Sequence, residues 1–596
     1  MAFLPYLIED LDMLKNAHIE DPVDSGSGDN QNQVTAYVNS QLSELTGGLS
    51  PLMLFMAYQD WIMHLASNPN KQKILFEKWL DSASRLSAYN LKSMDSSCGP
   101  CVDPPEYDHR FAHSSWSTWP FNMVSQSFLM GERWWDEASK DLRGVSHHHQ
   151  DVVRFMNRQL LDASSPSNFI LTNPEVLNLT LKSGGMNLWM GLQNLVDREE
   201  RRKSKKPPFG GEAFEVGKQV AITPGKVIYR NRLIELIQYE PTTKQVHPEP
   251  ILIMPAWIMK YYILDLSPAN SLIKYLVDKG HTVFAISWLN PDSEDRDLNL
   301  NNYAEFGVMD SLKAINAIVP DQKVHIVGYC IAGTLLSAIA AAMGGNDDHR
   351  LASMTLFASQ TDFSEVGELS IFIDDAEISF IEDIMSEKGY LDSKHMNGAF
   401  QLLNSSDLLW SRILKNYMMG EKQPVNDLAA WNADGTRLPY QMHSETLRHF
   451  FLNNDLASGK YHLESKSVNL MDIDCPIYCV ATTKDHISPW QSVHKLHTLT
   501  DAEIEFVLTS GGHNSGIINP PNVKTSEFKS LVRSKCGHYY YPEQWLQRAS
   551  SHEGSWWPHW SKWLKDRSGP NTKPPTMGAK GYPPLCDAPG TYVLKK

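Results

Sequence analysis

The sequence predicts an α/β fold preceded by a mostly helical N-terminal domain. Three observations predict it. Residues 1–200 repeat apolar side chains at helical spacing. Beyond a basic run closed by two prolines, short apolar strands alternate with helices, the pattern of a parallel sheet. One of those strands ends in Gly328-Tyr-Cys-Ile-Ala-Gly333, a tight turn leading into a helix.

In the N-terminal part, Leu52, Phe55, Met56, Ile62 and Leu65 share one helical spacing, and Ile74, Leu75, Trp79 and Leu80 the next. The run Arg201, Arg202, Lys203, Lys205, Lys206, ended by Pro207 and Pro208, reads as an exposed connector. The domain boundary is therefore placed at residue 205, give or take about ten residues. Residues 206–566 form the second domain. There, 227–239 alternates as a hairpin or edge strand, and Ile251-Leu-Ile-Met254 is a short strand. A helix is expected with Ser267 as N-cap, Pro268 at its first position and Gly280 as stop. Strands follow at 282–288, 324–329 and 354–359, with helices between them marked by Phe306, Met309, Leu312, Ile315 and Ile318 and by 333–343. The uncharged stretch 326–343 approaches the length of a membrane span, but its central turn makes it a buried strand and a buried helix. Residues 362–445 break the rhythm with many acids among aromatics and are expected to form a cap or lid. Strands resume at 477–483 and 504–508, and 567–596, rich in Pro and Gly, is expected to be a loosely packed extension.

The turn at Cys330 carries the chemistry. A nucleophile elbow puts its reactive side chain on a sharp strand-to-helix turn, with small residues two before and two after; here these are Gly328 and Ala332. The positive end of the following helix favours a thiolate. The Ile331 backbone N–H would face a developing oxyanion, and a second donor is expected from Trp257 or Ile258 in the loop after the 251–254 strand. On this kind of fold, the α/β-hydrolase fold, an acid and then a histidine follow the nucleophile. Asp485 stands after the 477–483 strand, and His513 after the 504–508 strand. Each could be an ordinary turn residue alone; the order and the strand ends make the triad Cys330, Asp485, His513 the stronger reading.

Other features carry less. Cys98-Gly-Pro-Cys101 has the letters of a redox pair but is surrounded by loop residues. His147, His148 and His149 are consecutive and cannot converge on one ion, so a loop or helix end is expected and no metal. Trp556, Trp557, Trp560 and Trp563 share a helix face that suits core packing. Seven cysteines in 596 residues argue against a disulfide scaffold and for a reducing compartment. The opening MAFLPYLIEDLDML lacks a basic stretch, so no signal peptide is expected. A net charge of −15 disfavours nucleic acid and anionic bilayers as partners.

The chain resembles the polyhydroxyalkanoate synthases, most of all the class I enzymes that polymerise short 3-hydroxyacyl groups into poly(3-hydroxybutyrate) and its relatives. The matching segments are Pro166-Ser-Asn-Phe-Ile-Leu-Thr-Asn-Pro174, Lys260-Tyr-Tyr-Ile-Leu-Asp-Leu266, Gly328-Tyr-Cys330, Trp431-Asn432 with Asp434, Asp485-His-Ile487, Gly512-His-Asn-Ser-Gly-Ile-Ile-Asn-Pro-Pro521 and Gly554-Ser-Trp-Trp-Pro558. They run from about residue 105 to the C-terminus. Where the family reads Gly-x-Cys-x-Gly-Gly, this chain has Ala332. The resemblance implies (R)-3-hydroxyacyl-coenzyme A as substrate, no further cofactor, and polyester and free coenzyme A as products. It also implies a homodimer with phasin-type proteins as possible partners, on polymer granules in the cytoplasm. The rival readings are a cysteine-type thioesterase or ester hydrolase of the same fold, and an inactive granule-coating protein.

Overall fold

In the computed structural model, the residues described are 39, 49–93, 99–105, 108–204, 206–396, 398, 410–422, 424–523 and 525–596. The chain divides into two compact units, 1–209 with 397–424, and 210–396 with 425–596.

The first unit is helical: α1 Pro51–Ala66, α2 Pro69–Lys92, α3 Phe121–Ser139, α4 His147–Ser164, α5 Pro174–Ser183 and α6 Met186–Lys203. Its starts follow local chemistry. Ser50 accepts from the Met53 N–H ahead of Pro51, and Asn173 accepts from Glu175 and Val176 ahead of Pro174. The three histidines open α4, where Ser146 caps the His149 N–H and the His149 ring meets Asp60 at 2.7 Å. Cys98 lies outside the described residues, and Cys101 donates to Gln126 Oε1. Residues 397–424 were read from the sequence as part of one cap over 362–445, yet they group with this unit. The reason is long-range bonding to α6: the Asn187 side chain donates to the Met418 carbonyl at 2.7 Å, and Asn194 donates to the Asn416 carbonyl at 3.0 Å.

The second unit is built on one sheet of eleven strands. They are β1 Gly225–Arg230, β2 Ile234–Tyr239, β3 Ile251–Met254, β4 Val283–Trp288, β5 Val324–Tyr329, β6 Leu351–Phe357, β7 Ile477–Thr482, β8 Ile504–Thr509, β9 Glu527–Arg533, β10 Ser550–Glu553 and β11 Cys586–Asp587. Their order is β10-β9-β8-β7-β6-β5-β3-β4-β2-β1-β11. The six from β4 to β8 run parallel, and the flanking strands antiparallel. All six residues of β5 are buried, as a strand covered on both faces requires. Neighbours alternate between the two cores: Ile326 packs with Leu335 and Leu336 on one face, Val327 with Trp556 and Trp560 on the other. The helices that cover the sheet include α7 Leu272–Asp278, α8 Asp310–Ile318, α9 Ile331–Gly344 and, after a cap segment containing α10 Asp375–Lys388 and α11 Asp427–Asn432, α12 Trp557–Lys565. The four tryptophans of 556–563 are core residues, each at most 4% exposed.

Two further expectations are corrected. Helix α7 begins four residues later than expected, with Ser271 as N-cap receiving the Lys274 N–H; Ser267 instead gives its hydroxyl to Asp427. The tail is not loose. It contributes β11 beside β1, and Glu235 on β2 accepts from the backbone of Thr591 and Tyr592 at 2.8 and 2.9 Å. Side-chain-to-backbone bonds of this kind order a segment without any apolar periodicity. Among the described residues, no helix is long and apolar enough to cross a membrane.

Candidate active site

Strand β5 ends at Tyr329 and α9 begins at Ile331, so Cys330 bears the whole change of direction. Its backbone has φ +55° and ψ −131°, a conformation that costs a residue with a Cβ of order 1–3 kcal/mol and holds only when the surroundings fix it. They do: the Cys330 N–H donates to the Phe357 carbonyl at 2.8 Å, and the Cys330 carbonyl accepts from Gly333 at 2.9 Å. The strand and helix cross where a Cβ on Gly328 would come within 2.5 Å of the Gly333 Cα, and a Cβ on Gly333 within 2.1 Å of the Ser359 hydroxyl. Glycine is thus required at 328 and 333. Position 332 faces elsewhere: its methyl is wholly buried in the apolar core, in ordinary packing. Ala332→Gly is therefore expected to leave activity near wild type and cost about 1 kcal/mol in chemical denaturation, whereas Gly333→Ala should abolish activity or prevent folding.

The acid and the histidine meet the sulfur from two neighbouring strands. Asp485 follows β7 and His513 follows β8. Asp485 Oδ1 accepts the backbone N–H groups of Ile487 and Ser488 at 2.9 and 2.8 Å, and Oδ2 accepts from the Thr482 hydroxyl at 3.1 Å and from His513 Nδ1 at 2.8 Å. Burial would push this carboxyl up, but His513 and those backbone donors hold it below the usual aspartate value. The Cys330 sulfur stands close enough to act on the His513 imidazole. Burial disfavours its imidazolium, yet the charge of Asp485 and the sulfur of Cys330 outweigh burial and lift its pKa well above that of an ordinary histidine. The arrangement has the order of a Cys–His–Asp relay, in which a histidine of raised basicity can take a proton from sulfur.

The loop 255–258 adjoins the elbow because Met254 pairs with Gly328. Trp257 is fixed there by ring contacts with Tyr303 and Trp288 and by its carbonyl, which accepts from the Thr436 hydroxyl at 2.8 Å; the Ile258 carbonyl accepts from the same hydroxyl. Ile331, at the first position of α9, has an N–H with no carbonyl one turn back inside the helix.

Several supporting residues escape a reading of motifs alone. Tyr329 stacks on the His513 ring at 5.7 Å and gives its hydroxyl to Asn514 Oδ1 at 2.5 Å. Trp556 and Trp557 donate their indole N–H groups to the carbonyls of Gly516 and Ile517, both at 3.0 Å, bracing the His513 loop. Trp431 donates to the Lys260 carbonyl at 2.8 Å, and Tyr262 to Asp434 at 3.0 Å. Apart from 166–174, the matching segments quoted from the sequence are thus bonded to one another: 260–266 to 431–434, and 328–330, 485–487 and 554–558 to 512–521. A tryptophan beside Ser or Asn was the available signal, since a buried indole needs an acceptor. Among the described residues, no three His, Cys, Asp or Glu side chains stand where they could hold a metal ion.

Comparison with known proteins bears on the fold and the family. Residues 107–276 match the family described as the N-terminus of poly-beta-hydroxybutyrate polymerase (PhaC), residues 36–71 the family described as poly-beta-hydroxybutyrate polymerase N terminal, and 249–520 the alpha/beta hydrolase fold. The match at 36–71 lies upstream of the segments that carried the resemblance in sequence. The poly(3-hydroxyalkanoate) polymerase of Methylorubrum extorquens is 38% identical over 94% of this chain and 91% of its own. The PhaC subunits from Rhizobium etli and Cupriavidus necator are 36% and 34% identical, over 87% and 83% of this chain and 81% and 84% of theirs. With the elbow, the relay and this likeness along nearly its whole length, the chain belongs to the poly(3-hydroxyalkanoate) polymerase family.

Proposed function

We propose that the chain polymerises (R)-3-hydroxyacyl-coenzyme A, with 3-hydroxybutyryl as the acyl group, through a covalent acyl-Cys330. The observation that carries this reading is the strained elbow at Cys330, with its sulfur close enough to act on His513 and with His513 Nδ1 held by Asp485 at 2.8 Å. His513 takes the proton of the Cys330 thiol, and sulfur attacks the thioester carbonyl. The oxyanion is held by the Ile331 N–H and by an N–H of Trp257 or Ile258. The tetrahedral adduct collapses, His513 returns its proton to the departing thiolate, and coenzyme A leaves. One thioester has replaced another, so the acyl group remains activated. The 3-hydroxyl of a second acyl group then gives its proton to His513, oriented by Asp485, and attacks the acyl-Cys330. An oxygen ester forms, the Cys330 sulfur is released, and the downhill step from thioester to ester drives growth. No further cofactor enters the cycle.

Water competes with the hydroxyl, and a polymerase must exclude it. The cap segment from residue 362 is the candidate lid; its Gly367 lies against Pro489 and His486, beside Asp485. In the cell the enzyme works as a homodimer at the surface of polymer granules in the cytoplasm, with phasin-type proteins as neighbours. The test is the product. Pure protein with 3-hydroxybutyryl-coenzyme A should give turbid polymer and free thiol. Free hydroxy acid formed at the rate of thiol release would overturn the reading in favour of a thioesterase.

A further inference from the structure

On a chain of net charge −15, four cations gather above the C-terminal ends of β3 and β4. They are Lys260, after β3; Arg437, in the segment after α11; and Lys595 and Lys596, in the tail. The contacts are specific. Lys260 Nζ and Asn290 Nδ2 both donate to the Lys595 carbonyl, at 2.7 and 3.2 Å. Arg437 gives its guanidinium to the Lys596 carbonyl and its backbone N–H to Asn290 Oδ1 at 2.9 Å, and its charge lies 5.1 Å above the Tyr390 ring. Among the described residues, the side-chain carboxylates paired with them are Asp292, 2.8 Å from Lys595, and Asp434, 2.9 Å from Lys596. Lys260 is 3% exposed, and burial with the crowding of Lys596, Arg437 and Lys595 brings its ammonium down to about 8 against the pull of Asp434.

The cluster also stands in the right place. It lies on the sheet edge that carries Cys330: Lys260 follows β3 and Asn290 follows β4, one and two strands from β5, or about 5–10 Å at the usual strand spacing. A bound thioester has its reacting carbonyl at Cys330 and its phosphates a pantetheine arm away. The Arg437 guanidinium lies over the Tyr390 ring, and Lys595 and Lys596 are partly and largely exposed; a guanidinium can receive two phosphate oxygens at once.

We propose that Arg437, Lys595 and Lys596 bind the phosphate groups of the coenzyme A thioester, and that buried Lys260 is the positioning residue that fixes the tail beneath them. This rests on the reading of the substrate given above and adds where its charged end lies. Calorimetric titration of the full-length protein with coenzyme A and, separately, with pantetheine tests it. Arg437→Gln and Lys596→Gln should each weaken coenzyme A binding about tenfold or more and leave pantetheine binding at the wild-type value. Lys596 is 80% exposed, so its replacement keeps the fold, and thermal melting confirms this for both variants. Unchanged affinity for coenzyme A, or an equal loss for both ligands, would overturn the assignment. Polymer formation by the unaltered protein is scored separately; its absence would overturn the polymerase reading whatever the titrations give.

Discussion

Cys330→Ala should stop thiol release from 3-hydroxyacyl-coenzyme A, to at least about 10³-fold below the unaltered protein. The reason is structural as much as chemical. One backbone position joins β5 to α9 at a positive φ, and the side chain there is the sulfur that acts on His513. No neighbouring residue can take its place, since Tyr329 is committed to His513 and Asn514 and Ile331 packs in the apolar core. Alanine keeps the Cβ, so the elbow itself should persist and melting should change little. Cys330→Ser is more discriminating. It can accept an acyl group, but as an oxygen ester, which removes the energy drop that drives transfer to the next hydroxyl. Polymer yield should therefore fall even where some thiol is released. Thiol release persisting unchanged in Cys330→Ala would refute the enzymatic reading of this residue.

Asp485→Asn should lower activity about 10²–10⁴-fold with the fold intact. The side chain is fully buried, and its four donors come from Thr482, Ile487, Ser488 and His513. The amide keeps an oxygen for some of them but loses the charge. Burial then dominates at His513, so its pKa must move down from the raised value that Asp485 and Cys330 sustain. Nitrogen-15 spectra of ring-labelled histidine should show His513 losing its proton at lower pH in the variant. An unchanged titration would mean that Asp485 does not govern this imidazole.

The relay was legible in sequence because its order and its strand ends are local facts. Each of Cys330, Asp485 and His513 follows an apolar run long enough to be recognised as a strand, and the C-terminal ends of parallel strands share one edge. What was not legible depended on distant partners. The tail offers no period, and its order comes from Glu235 and Lys260, more than 300 residues away. Strands β9 and β10 are flanking antiparallel strands, and β10, Ser550-Ser-His-Glu553, lacks the apolar alternation that marks a strand. The start of α7 was misplaced because Ser267-Pro268 has the form of a cap, while Asp427, far along the chain, claims that serine. The weight given to Ala332 assumed that the elbow needs a small residue there; the close crossing is one residue further on, at Gly333.

The central claim is that the growing chain is carried on one sulfur. Mixing the protein with 3-hydroxybutyryl-coenzyme A, quenching in acid within a turnover and mapping peptides by mass spectrometry tests it most directly. The account predicts a 3-hydroxybutyryl or oligomeric adduct on the peptide bearing Cys330, absent from Cys330→Ala. Polymer formed with that peptide unmodified at every time point, or with the adduct on another residue, would contradict it.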